Sequence, residues 1–127
     1  MTARKELLVK EKAAVRAQAS FNDQLRDFPI VKIDKEYTFE SLDGKSVTLS
    51  ELFQGRKQLL VYHFMLGPED DAGCSGCSFL ADNLPSSLAH LHAANTTLVL
   101  VSRAPVAKIE AFQKRMGWDF PWYSCKH

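Results

Sequence analysis

The chain has 127 residues, 46% hydrophobic and 24% charged, with a formal net charge of +1. That length supports one modest core, and the near-neutral charge gives no electrostatic footprint for nucleic acid or an anionic membrane surface. No run approaches the ~18 apolar residues of a membrane-spanning helix, and the charged N-terminus, with Glu6 and Glu11, fits neither a secretory signal nor a mitochondrial presequence.

From Lys5 to about Arg26, good helix formers carry Leu8, Ala14 or Val15, Ala19 and Leu25 at roughly helical intervals, and Phe28-Pro29 ends the run. Val31, Ile33, Tyr37 and Phe39 then suggest short extended pieces. The turn signal Leu42-Asp43-Gly44-Lys45 joins two strands into a hairpin. Ser50 is placed to cap a short helix that Gly55 closes. Gln58–Leu66, "QLLVYHFML", is almost all apolar and reads as a strand covered on both faces of a parallel sheet. Ser78–His92 reads as a helix that Pro85 kinks or divides. Thr96–Ser102, "TTLVLVS", is a second buried strand. Pro105 opens a helix with Val106, Ile109, Phe112 and Met116 on one face and Gly117 at its end. "WDFPWYS" begins a further extended segment. Strand, helix, strand, helix and extended segment in this order predict an α/β fold with a parallel β-α-β unit.

The chemistry-bearing motif is Cys74-Ser75-Gly76-Cys77, which follows the first strong strand and opens a helix. Reactive groups of open α/β sheets gather at that strand edge. Free amides in a helix's first turn favour a thiolate over a thiol. The spacing sets the second sulfur about one turn inward, so Cys74 is expected to attack and Cys77 to resolve. Glu69, Asp70 and Asp71 oppose this if they project toward Cys74, because like charge raises a thiol's pKa. Facing solvent, they would have little effect.

Two other readings of the cysteines stay open: inert buried thiols, or a zinc site built from Cys74, Cys77, Cys125 and His127. Three cysteines are too few and too unevenly spaced for a secreted disulfide framework, so a reducing, cytoplasmic setting is expected. His63 lies within an apolar strand and Arg103 leaves the second strand at the cysteine edge. Trp118 and Trp122 read as packing residues, and His90 and His92 fall on different faces of a helix. A peroxidase-like reading is disfavoured because Asp71 stands three residues before Cys74, where such enzymes place threonine or serine.

Successive blocks, "QLLVYHFM", "GCSGCSFLADN", "TLVLVSRAP", "KIEAF", "RMGW" and "FPWYS", together with "YTFESLDGKSVTLSELFQGR", resemble a bacterial and fungal thioredoxin-like family of predicted dithiol-disulfide oxidoreductases. The resemblance runs through almost the whole chain. It implies a single thioredoxin-like domain over residues 1–127, with residues 1–28 as an N-terminal helical extension. It places the dithiol at Cys74 and Cys77 and marks Tyr62, His63 and Arg103 as recurring features without fixed roles. Family members continue past the "FPW" block, so the domain is expected to be incomplete, without the usual C-terminal strand pair and closing helix. Exposed edges at both strong strands would then be available for a homo-oligomer. The implied activity is thiol–disulfide exchange with a protein or small-molecule thiol or disulfide, with no cofactor, nucleic acid or membrane partner. The alternative is a non-catalytic interaction module pairing through the open sheet edge.

Overall fold

The computed structural model describes residues 2–85 and 87–125. The chain divides into two compact units, Met1–Asp34 and Lys35–His127. The first is built on helix α1, Thr2–Arg26, whose apolar positions Leu8, Val15 and Leu25 are exposed. It closes with Asp27 N–H donating to the Asp23 carbonyl and Phe28 N–H to that of Leu25, just ahead of Pro29. Proline cannot extend the ladder, and it biases its predecessor away from helical geometry.

The second unit holds a mixed five-stranded sheet. Its elements are β1 (Thr38–Ser41), β2 (Ser46–Thr48), α2 (Leu49–Leu52), β3 (Gln58–His63), α3 (Ser75–Asp82), α4 (Ala89–Ala93), β4 (Thr96–Ser102), α5 (Val106–Met116) and β5 (Trp122–Ser124). The strand order is β2-β1-β5-β4-β3. β3 and β4 run parallel, with Tyr62 opposite Leu100 and His63 opposite Val101. β5 lies parallel to β4 and antiparallel to β1, which joins the hairpin to the parallel core.

β4 is buried along its whole length, as its unbroken β-branched and leucine run requires. Its side chains alternate between two cores. On one face Leu100 packs with Phe64, Leu66, Cys77, Ile109, Phe112 and Trp122, under α3 and α5. On the other, Val99 and Val101 pack with Leu52 of α2, and with Leu59, Phe39 and Cys125 at the margin.

The structure corrects several expectations. β3 is an edge strand, ending at His63 rather than Leu66, and it is not covered on both faces: Leu60 and Val61 are 50% and 49% exposed. An apolar run has the same appearance at a sheet's edge as at its centre. β4, expected to lack a neighbour, has β3 on one side and β5 on the other. The short helix α2 is capped by Thr48, not Ser50, in a reciprocal box with Glu51. Pro85 does divide the predicted helix, α3 ending before it and α4 beginning after it. Gly117 closes α5 in the left-handed conformation, at φ +71°.

Candidate active site

The backbone that follows β3 sets the position of the cysteines. Three successive carbonyls are taken up by different parts of the chain. Ser102 Oγ donates to Phe64 O at 2.7 Å, Cys74 N–H to Met65 O at 3.0 Å, and Ala104 N–H to Leu66 O at 3.0 Å. Phe64 N–H in turn donates to Val101 O at 2.9 Å. The amide of Cys74 is therefore attached directly to the segment that leaves the sheet.

Gly73 precedes it because nothing larger fits. A Cβ there would lie 2.5 Å from Phe64 Cε1 and 2.9 Å from Phe112 Cε1, inside the aromatic core. Phe64 is held edge-on to Trp122, with ring centroids 4.7 Å apart, and to Trp118 at 5.8 Å. Trp118 Nε1 donates to the Asp82 carboxylate at the end of α3 at 2.9 Å, and Trp122 Nε1 to Ser102 Oγ at 3.0 Å. Both tryptophans thus act in packing, as the sequence suggested.

Cys74 is the N-cap residue of α3, and its carbonyl accepts from both the N–H and the Oγ of Ser78. Its side chain is half-buried, whereas Cys77, one turn inward, is 6% exposed. The Cys77 and Gly76 amides, pointing outward from the first turn, hold the Cys74 thiol below its ordinary range, with a smaller contribution from the Cys77 side chain. Both sulfurs are free thiols.

Within the acidic loop, Asp70 is engaged by the loop's own backbone. The Asp70 carboxylate accepts from Gly67 N–H at 2.6 Å, and Lys108 of α5 donates to the carbonyls of Pro68 and Asp70 at 2.6 and 2.7 Å. Lys108, about forty positions away in sequence, fixes this loop, and no local signal singles it out.

The three residues flagged beside the dithiol separate. Tyr62 lies on the dithiol face, packed against the core cluster that contains Cys77 and edge-on to Phe64 at 6.4 Å. Its hydroxyl is pushed up to about 12, first by its hydrogen bond to Cys77, then by burial, then by the negative charge of the two thiolates. His63 is in register with Val101 on the opposite face. With Arg103 and Asp70 it lines a cavity of about 200 Å³ along the Phe64–Gly67 segment. Cys125 packs on the same far face, away from the Cys74 and Cys77 cluster, and His127 lies outside the described residues. Among the described residues no three His, Cys, Asp or Glu side chains gather as a metal site.

Residues 1–127 match the profile of a family described as "Bacterial protein of unknown function (DUF899)". The chain belongs to the DUF899 family. No curated protein matches it. Among solved structures, this DUF899 chain is similar to a candidate protein disulfide isomerase from Bacteroides thetaiotaomicron (TM-score 0.52, 24% identity, 77% of this chain and 58% of that one). A hypothetical protein from Sinorhizobium meliloti aligns with a TM-score of 0.52 at 15% identity, over 76% of this chain and 54% of that one. A secreted disulfide oxidoreductase from Mycobacterium tuberculosis aligns at a TM-score of 0.42 and 24% identity, over 71% and 60%. The fold of the DUF899 chain is thioredoxin-like, and the chain spans little more than half the length of these first two proteins.

Proposed function

We propose that the chain is a thiol–disulfide oxidoreductase in which Cys74 is the nucleophile and Cys77 the resolving thiol. The observation that carries this reading is the asymmetry of the pair. Cys74 is half-open, at a helix N-terminus whose amides favour its thiolate, and Cys77 is buried one turn behind it. Attack of the Cys74 thiolate on a substrate disulfide forms a mixed disulfide and releases one substrate thiolate. Attack of Cys77 on the Cys74 sulfur then closes the Cys74–Cys77 bond and releases the second. Two electrons pass from the dithiol to the substrate disulfide, and the leaving thiolates are protonated from solvent.

The substrates are thiols or disulfides of proteins or small molecules, and three unevenly spaced cysteines suit a reducing, cytoplasmic setting. No helix among the described residues is long and apolar enough to cross a membrane. Insulin reduction by dithiothreitol tests the reading, comparing wild type with Cys74→Ser. Loss of the catalysed rate in the variant is expected, and equal rates would remove the dithiol from the mechanism.

A second reading rests on the free edge of β3, where Leu60 and Val61 are exposed. An exposed apolar edge is a template for strand pairing, so the unit could serve as an interaction module or self-associate there. Mass measurement in solution at micromolar concentration checks it, and a strict monomer would count against it.

A further inference from the structure

Two opposite charges line the cavity at the end of β3 without meeting. The cavity, of about 200 Å³, is bounded by His63, Asp70, Arg103 and the Phe64–Gly67 segment. Asp70 is fixed from two sides: its carboxylate accepts from Gly67 N–H at 2.6 Å, and Lys108 Nζ donates to its backbone carbonyl at 2.7 Å. Gly67 leaves the room for this, since a Cβ there would lie 3.1 Å from Asp70 Oδ2. Arg103 stands between two residues that are bonded to the cavity segment, Ser102 through Oγ to Phe64 O and Ala104 through N–H to Leu66 O. Both walls are therefore held by the fold. Yet among the described residues no ion pair joins Arg103 to Asp70 or to any other carboxylate.

That arrangement narrows the ligand. A bare anion would face the Asp70 carboxylate, and a bare cation would face the Arg103 guanidinium. Among the described residues no third His, Cys, Asp or Glu joins His63 and Asp70 to hold a metal. A group carrying both charges answers both walls. Its carboxylate fits the planar fork of Arg103, with a ring N–H of His63 as a further donor. Its ammonium fits the Asp70 lone pairs that Gly67 leaves unused. The cavity is smaller than the ~300–1,000 Å³ of a site enclosing a whole drug-sized ligand, so it suits a head group whose remainder lies outside. The nucleophile is next to it: Met65 lines the cavity, and its carbonyl receives the Cys74 amide at 3.0 Å.

We propose that this cavity binds the α-amino-carboxylate head of a low-molecular-weight thiol or disulfide and presents its sulfur to Cys74. This rests on the dithiol reading above and names its substrate class. The Cys74 thiolate displaces one sulfur of the bound disulfide, and Cys77 then closes on the Cys74 sulfur and displaces the other. Two electrons reduce the substrate to two thiols, which take their protons from solvent.

The test follows oxidation of the reduced protein, in a Cys125→Ser background, by symmetric disulfides. Cystine carries both charges, dithiodipropionate the carboxylate alone and cystamine the ammonium alone. Glutathione disulfide carries the same zwitterionic head on a longer arm. Loss of one partner of an exposed ion pair is worth up to about fivefold. Arg103→Gln should slow cystine and dithiodipropionate by about that factor, and not cystamine. Asp70→Asn, which keeps an acceptor for Gly67 N–H, should slow cystine and cystamine, and not dithiodipropionate. Arg103→Lys should leave most of the loss in place, because a point charge lacks the fork. Full recovery with lysine would mean a long-range field rather than a site, and would overturn the assignment. Whichever of cystine and glutathione disulfide responds to both substitutions identifies the length of the arm. No response from either, or equal slowing of every disulfide, would also overturn it. Where a variant folds poorly, the parent protein decides: S-methylcysteine, which cannot exchange, should slow its oxidation by cystine or glutathione disulfide, and N-acetyl-S-methylcysteine should not. Equal effects of the two would overturn the site. A parent that releases fewer than two equivalents of thiolate from 5,5′-dithiobis(2-nitrobenzoate) would refute the dithiol reading itself, so the two failures are distinguishable.

Discussion

The two glycines that flank Cys74 should respond to alanine in opposite directions. At Gly73 the added methyl would lie 2.5 and 2.7 Å from ring atoms of Phe64 and 2.9 Å from one of Phe112. Ordinary carbon contacts sit at about 3.5–4.0 Å, so ring or loop has to move by roughly an ångström. Phe64 is fully buried between Phe112, Trp118 and Trp122 and has nowhere to swing. Overpacking of this kind costs about 1–3 kcal/mol. For a unit of 93 residues (127 − 34), a mid-range value lowers Tm by about 10 °C. At Gly76 the methyl would meet only Cys74 Sγ, at 3.9 Å, an ordinary contact. Gly76 lies in the first turn of α3, where alanine is a better helix former by about 0.5–1 kcal/mol. Gly76→Ala should therefore match or exceed wild-type stability. Thermal and urea unfolding of the reduced proteins provide the comparison. The reasoning fails if Gly73→Ala unfolds with the wild type, or if both variants lose stability equally.

The Cys74 thiol should titrate below an ordinary cysteine, giving an iodoacetamide capture midpoint lower than that of the free amino acid. Glu69→Gln with Asp71→Asn should leave the midpoint in place, because the amides of Cys77 and Gly76 are what lower it. A thiol whose pKa is lower in the folded than in the unfolded state adds stability above its unfolded value and loses it as pH falls through the folded value. The reduced wild type should thus gain on Cys74→Ser in urea titrations as pH rises from the lowered folded value to the ordinary cysteine range. Ser102→Ala strands the Phe64 carbonyl and the Trp122 indole, both buried, and should cost about 1–3 kcal/mol. Thr48→Ala removes the cap of α2 and should cost about 1 kcal/mol, with Ser50→Ala costing less.

Local chemistry was legible in the sequence wherever one stretch of chain decides the outcome. The Gly44 turn, the division at Pro85 and the closure at Gly117 each follow from one residue's backbone geometry, and the position of Cys74 before α3 follows from the motif's place after a strand. What was not legible depends on pairing between distant segments. The edge position of β3 is set by β4 choosing β5 as its other neighbour, a contact between residues about twenty positions apart. The hold of Lys108 on the acidic loop is longer still in sequence. The division of Tyr62 from His63 carried a signal that alternation makes available: Tyr62 shares parity with Phe64 and Leu66, and His63 does not. Parity alone does not tell which face carries the cysteines. That required the carbonyl of Met65 to receive the amide of Cys74.

This division of labour bears on how the dithiol could work. Disulfide exchange needs two sulfurs to alternate between bonded and free states, while the chain that carries them stays folded. Here the backbone around Cys74 is fixed on both sides, its amide by Met65 and its carbonyl by Ser78. The segment supplying Met65 is itself fixed by Ser102 at the end of β4 and Ala104 of the β4–α5 connection. The freedom that remains lies in the Cys74 side chain, which is half-open. Cys77 is buried, and on the proposed mechanism rotation about the side-chain bonds of Cys74 would carry its sulfur between a substrate outside and Cys77 inside. The oxidised and reduced forms should therefore share one backbone, with the helix amides at Cys74 favouring its thiolate in the reduced form.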